Sequence, residues 1–239
     1  MKHVYGPLKS RRLGYSLGLS LTPYKICNFD CLYCQLGKTV QTVSQRKEYV
    51  PVAEIADELS RWLAAHKKEA ERLDFITFSG SGEPTLNSAF GNLIAQIKKI
   101  TDIPVCVITN ASLVFDPAVR EALCQASVIV PSLDAATDDI FQRIDRPHPA
   151  VKLADVIQGL VELRKEFSGK IWLEVMFVRG VNDNLEHARA LKEVINRIKP
   201  DKVQINTPVR ATSEPDVRAP ETKRLQEIRE ILGPNTEVF

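Results

Sequence analysis

The sequence predicts an α/β fold, a partial (β/α)6 barrel of TIM type built on a parallel sheet. Three observations carry this expectation. Six short apolar segments alternate with amphipathic ones, which implies right-handed βαβ units. Most of the short segments are β-branched or aromatic on both parities, as strands covered on two faces are. The polar residues that do not suit a core gather just after those segments, where a barrel carries its chemistry. A doubly wound open sheet would instead show a glycine-rich first turn, whereas here the first strand leads into a long cysteine-bearing loop.

The expected strands are SLGLSL (16–21), DFITFS (74–79), VCVITN (105–110), SVIVPSL (127–133), KIWLEVMFV (170–178) and KVQIN (202–206). Val52, Ile55, Leu59 and Leu63 form a helical stripe after Pro51, a residue suited to a first turn. Phe90, Leu93, Ile94 and Ile97 form another after Asn87-Ser88, both candidate N-caps. Leu185, Ala188, Leu191, Val194, Ile195 and Ile198 make a third, stopped by Pro200. Leu225, Ile228 and Leu232 make the last, stopped by Gly233-Pro234. The whole reads as one domain over 1–239: an N-terminal extension (1–14), a barrel core (15–206) and a C-terminal segment with the final helix (207–239).

Apolar residues make up 44% of 239, enough for a sizeable core, and 32 basic against 30 acidic residues leave a net charge of +2. No global field therefore favours nucleic acid, although a local basic patch would suffice to bind it. No apolar run reaches the roughly 20 residues needed to span a bilayer, and the N-terminus lacks the apolar segment of a signal peptide. The expected location is the cytoplasm, without membrane attachment, where thiols stay reduced. An odd count of five cysteines, three of them within eight residues, suits metal binding there better than a disulfide framework.

Three of those cysteines lie in CNFDCLYC, as Cys27-x3-Cys31-x2-Cys34. Structural zinc takes four protein ligands, and His3, His66, His148 and His187 lie at no zinc-finger spacing from this loop. A four-iron electron carrier wants a fourth thiolate; Cys106 falls in a predicted strand and Cys124 in a helix, both suited to small core residues. The third reading is a [4Fe–4S] cluster held by three thiolates, with one iron left open.

This Cx3CxxC pattern, with Tyr33 in its aromatic slot and placed after the first predicted strand, resembles the signature of the radical S-adenosylmethionine (radical SAM) enzymes. The resemblance implies the radical SAM core and two cofactors, a [4Fe–4S] cluster and S-adenosylmethionine. It also implies reductive cleavage to a 5′-deoxyadenosyl radical that abstracts hydrogen from an unactivated carbon. A flavodoxin- or ferredoxin-like electron donor would be a partner of such an oxidoreductase-like enzyme.

FSGSGEPTL (78–86) resembles the family's Gly-Gly-Glu-Pro element through Gly82, Glu83 and Pro84, with Ser81 replacing the first glycine. Its backbone carbonyls and the Glu83 carboxylate suit the ammonium group of S-adenosylmethionine. Ser132 and Asp134 end the fourth strand and suit the methionine carboxylate or the ribose; Asp134 suits a helix cap equally. Asn110 faces the site or caps its own turn. Gln204 and Asn206 share one face of the last strand, either near the adenine inside the barrel or on a solvated edge. Lys9, Arg11, Arg12, Arg143, Arg146, His148, Arg210 and Arg218 read mainly as solvated surface.

The stretch SRRLGYSLGLSLTPYKICNFDCLYCQLG (10–37) is similar to a branch of the family related to the enzymes that form wyosine bases in tRNA. No cysteine precedes Cys27 to hold the second cluster those enzymes carry, and none follows Cys124. The favoured substrate is a large one that closes the site itself: an RNA base, with a protein modified by an activase or peptide-modifying enzyme as the alternative. A non-catalytic iron–sulfur or zinc module is the reading from another class.

Overall fold

The computed structural model describes residues 1–239. The strands are β1 (Val4–Ser10), β2 (Gly14–Ser20), β3 (Phe75–Ser79), β4 (Val105–Thr109), β5 (Val128–Pro131), β6 (Lys170–Met176), β7 (Lys202–Asn206) and β8 (Thr236–Val238). They form one sheet in sequence order, with β1 antiparallel to β2 and every later pair parallel. The two edge strands do not pair, so the barrel is partial. All six expected strands are present. The edges differ from expectation, since the N-terminal extension supplies β1 and the C-terminal segment supplies β8.

The helices are α1 (Val52–Ala65), α2 (Lys67–Ala70), α3 (Phe90–Ile100), α4 (Pro117–Leu123), α5 (Asp138–Ile144), α6 (Leu153–Glu166), α7 (Leu185–Ile198) and α8 (Thr222–Leu232). Their ends follow local chemistry. Asp116 caps α4 ahead of Pro117, and Asn184 accepts from the His187 N–H to cap α7. Lys199, left-handed at φ 54°, ends α7 before Pro200, and Gly233 at φ 103° ends α8. The α3 expectation needs correction: Ala89 is its N-cap, while Asn87 is a buried staple. The Asn87 amide donates to the Leu21 and Val50 carbonyls, both at 2.9 Å, and so ties the loop after β2 to the loop after β3.

In-register pairing sorts the strand residues onto two faces. The outer face (Leu17, Leu19, Ile76, Phe78, Val107, Ile129, Leu173, Ile205 and their neighbours) is fully buried against the helices. The inner face is graded along the barrel. At its base Leu13, from the β1–β2 turn, packs with Cys106, Val128 and Val130 beside Phe75 and Trp172, whose rings meet edge to face at 6.0 Å. Next to that plug Arg12 forms an ion pair with Glu174 of β6. Arg12 is therefore not a solvated surface base; the turn folds it under the barrel, and Leu13 and Arg12 together close the floor.

Arg12→Met would leave Glu174 unpaired inside the barrel and is expected to cost about 3 kcal/mol, as removing one member of a buried pair does. The readout is a lower urea midpoint, and adding Glu174→Leu should recover most of the loss. A single variant as stable as the parent would show that the pair does not close the floor.

Candidate active site

The long loop between β2 and α1 carries the three clustered cysteines and is stitched to its neighbours by backbone bonds. Ile26 and Gly82 form a parallel bridge, and the Glu83 N–H donates to the Ile26 carbonyl at 3.0 Å. A Cβ on Gly82 would stand 1.9 Å from that carbonyl oxygen, so only glycine allows the approach. On the other side the Asp30 and Leu32 N–H groups donate to the Asp145 and Ile144 carbonyls at 3.1 and 3.0 Å. The segment after β7 lies across the same loop. The Ser213 hydroxyl lies 2.9 Å from the Cys31 carbonyl oxygen and 2.8 Å from that of Leu32, and Arg146 pairs with Glu214.

These contacts hold Cys27, Cys31 and Cys34 as partly buried free thiols. Each sulfur faces a polar group: Phe29 N–H (3.5 Å) and Asn110 Nδ2 (3.7 Å) at Cys27, Asp145 Oδ1 (3.5 Å) at Cys31, and Lys25 Nζ (2.9 Å) at Cys34. Burial pushes the Cys27 thiol up to about 12, and burial followed by the Asp145 charge holds Cys31 well above the ordinary thiol range. Each of these two thiols also feels the charge of the other cysteines. No three His, Cys, Asp or Glu side chains converge on a single ion. Three free thiols within one loop, with N–H donors at the Cys27 sulfur and an ammonium at that of Cys34, fit an iron–sulfur cluster.

Beside the thiols lies a cavity lined by Tyr33, Asn110, Ser132 and Asp134, with Asp145 and the edge-to-face ring pair Phe29–Phe141. The structure thus brings together four of the residues expected from the sequence. Asp134 accepts from the Tyr33 hydroxyl and, at 2.7 Å, from the Met176 N–H. Thr137 is the N-cap of α5, so Asp134 does not cap that helix and instead lines the cavity. Burial raises both Asp134 and Asp145 above the ordinary aspartate range, and their mutual repulsion raises Asp145 further. Asn110 fills both roles read for it. Its Oδ1 accepts from the Ser112 N–H and hydroxyl, while its Nδ2 donates to Asn28 Oδ1 at 2.8 Å and toward Cys27.

Glu83 has a structural role that the sequence does not show. Its carboxylate is buried and already accepts four bonds: Thr85 N–H (3.0 Å), Thr85 Oγ1 (2.6 Å), Thr109 Oγ1 (2.7 Å) and Asn110 N–H (2.7 Å). It braces the loop after β3 to the loop after β4, with three of the four bonds on Oε1 and one on Oε2. Burial raises its carboxyl while these donors pull it down. Pro84 begins a buried 3-10 turn, and Gly82 is the close-approach glycine. Neither lines the cavity.

Gln204 and Asn206 lie on the inner face of β7 between β6 and β8, which overturns the solvated-edge reading. They stand outside the cavity lining; Gln204 is fully buried with neither amide atom partnered. Sequence reasoning missed Asp145, Lys25 and Ser213. Asp145 lies in the DDIFQRIDRPHP run, where only the basic residues were singled out. His148 donates its backbone N–H to the Asn28 carbonyl, which makes it part of the loop's framework.

Glu83→Ala should strand the Thr109 hydroxyl and the Asn110 N–H. A loss of about 1–3 kcal/mol is expected, read by thermal melting of the metal-free protein, with Glu83→Gln losing less. An unchanged melting curve for Glu83→Ala would contradict the brace.

The Radical SAM superfamily model matches residues 21–191. A Brachyspira hyodysenteriae protein named GTPase Obg is 40% identical over 237 residues, 99% of this chain and 34% of that protein. The chain therefore spans about a third of that relative, whose name describes the longer protein. A UPF0026 protein of Methanocaldococcus jannaschii is 31% identical over 239 residues, covering 98% of this chain and 74% of its own. Among solved structures, TYW1 with a lysine–pyruvate adduct superposes with a TM-score of 0.65 at 18% identity, over 91% of this chain and 72% of that one. That likeness supports the fold, the partial barrel shared by this family. The chain belongs to the radical SAM superfamily, whose members use a [4Fe–4S] cluster and S-adenosylmethionine, and within it to the UPF0026 proteins.

Proposed function

We propose that the chain is an enzyme that cleaves S-adenosylmethionine reductively and abstracts a hydrogen from a large substrate, an RNA base being the favoured one. The observation that carries this reading is the loop after β2, which holds Cys27, Cys31 and Cys34 as three free thiols beside a polar cavity. Cys27, Cys31 and Cys34 would hold the cluster. When bound, the cluster and S-adenosylmethionine together supply the 5′-deoxyadenosyl radical.

The chain's own residues bind and orient. Tyr33, Asn110, Ser132 and Asp134 line the cavity beside the thiols and offer hydroxyl, amide and carboxyl groups to the ammonium and ribose of S-adenosylmethionine. Backbone carbonyls of the turn at Gly82, Glu83 and Pro84 remain suited to the ammonium group, with the Glu83 side chain holding that turn. Gln204 has a buried donor and a buried acceptor unspent and, with Asn206, offers amide groups at the inner wall. The apolar outer core and the plugged floor keep water from reaching the site from below.

A large substrate is supported by the rim. Tyr24 and Val40 of the cysteine loop, Phe115 after β4 and Val209 after β7 are exposed large apolar residues, Val40 at 99%. Exposed apolar side chains on the loops that follow the strands suit a macromolecular partner. The RNA choice rests on the resemblance of residues 10–37 to the wyosine-forming branch.

After anaerobic reconstitution and reduction with dithionite, the parent protein should release 5′-deoxyadenosine. Cys27→Ala, Cys31→Ala and Cys34→Ala should lose both the iron and the product, whereas Cys106→Ala and Cys124→Ala keep their iron. A parent that binds zinc and releases no 5′-deoxyadenosine would refute the enzyme reading. Deuterium carried from deuterated tRNA into 5′-deoxyadenosine would support the RNA substrate; deuterium carried only from deuterated protein would redirect it to peptide modification.

A further inference from the structure

We propose that Lys25 is the counter-charge of the cluster, its ammonium raising the cluster's reduction potential by bonding to the Cys34 sulfur. The inference rests on the reading that Cys27, Cys31 and Cys34 hold an iron–sulfur cluster. Lys25 is the only cation in hydrogen-bond contact with a cysteine sulfur, at 2.9 Å from Cys34 Sγ. The ionisable group facing the Cys31 sulfur is a carboxyl, that of Asp145 at 3.5 Å. Reduction adds negative charge to a group already bound by three thiolates, so a neighbouring ammonium favours the reduced form. Net charge and hydrogen bonds at the sulfurs are among the levers by which a protein sets such potentials.

The backbone is arranged to deliver this side chain. Lys25 has φ 60°, a left-handed conformation that a non-glycine residue rarely adopts and that costs of order 1 kcal/mol. It is held there by the Lys25 N–H bond to the Ser81 carbonyl and by the Ile26–Gly82 bridge that follows. Glycine would fill the position without strain. A lysine there, with its ammonium on a sulfur, points to a use for the charge.

The test is a redox titration of the reconstituted cluster, followed by electron paramagnetic resonance without S-adenosylmethionine, in the parent, Lys25→Met, Lys25→Arg and Lys25→Gln. The expected result is a midpoint shifted to more negative values in Lys25→Met and Lys25→Gln and close to the parent's in Lys25→Arg. If Lys25→Met loses its iron, Lys25→Gln carries the comparison, because it removes the charge and keeps an N–H donor on a side chain one atom shorter. Midpoints equal to the parent's in the neutral variants, with parental iron content, would overturn the proposal and leave the cluster reading standing. The same holds if only the affinity for S-adenosylmethionine changes. A parent with no reducible cluster would remove both.

Discussion

The site depends on a contact with no room for a side chain. Gly82 passes so close to the Ile26 carbonyl that even a methyl group would collide with it, and the next N–H bonds to that same oxygen. The residue before Cys27 is thereby fixed to the end of β3. From there the chain turns through Glu83, whose carboxylate bonds onward to the end of β4. The Asn110 side chain returns from β4 to Cys27 and Asn28. Glycine, glutamate and asparagine form one continuous link from backbone contact to carboxylate to sulfur. Its precision comes from strand ends and not from a free loop.

Beneath that link the sheet separates two tasks. The outer face carries the stability of the fold through apolar packing against helices, whose free energy scales with the area removed from water. The inner face is sealed by Leu13, Phe75 and Trp172 at its base, where Lys202 sits 4.1 Å from the Trp172 ring centroid. Polarity then rises toward the thiols through the Arg12–Glu174 pair, Gln204, Asn206, Ser132 and Asp134. Unpartnered polar groups are costly in a core. Gln204, with both amide atoms free, is the group whose burial asks for a ligand or water, and it lies on the wall below the site.

The architecture was legible because strands covered on both sides are apolar without interruption and helices carry one stripe. The strand runs and the α1, α3, α7 and α8 stripes are therefore visible in the residues themselves. The edges were not legible. β1 reads VYGPLKS, with a Gly-Pro that argues against a strand except at an edge, and β8 is three residues long. At the site, Cys27, Cys31 and Cys34 announce themselves by spacing, Tyr33 by the aromatic slot between the last two, and Asn110, Ser132 and Asp134 by their place at strand ends. The sequence alone could not tell which way Glu83 points, because a carboxylate that braces a turn and one that binds a ligand read identically. Arg12 was lost in a basic run, and only the hairpin turn reveals that it faces inward. Lys25 was silent because neither its φ nor its distance to Cys34 is encoded in any local pattern.

Mössbauer and electron paramagnetic resonance spectra of oxygen-free, iron-57-labelled protein, taken with and without S-adenosylmethionine, address the three-thiolate assignment most directly. One iron of the four should be distinct and should change its spectrum when S-adenosylmethionine is added. Four equivalent irons with fully protein-derived ligation, unmoved by S-adenosylmethionine, would contradict the assignment, while leaving the partial barrel intact.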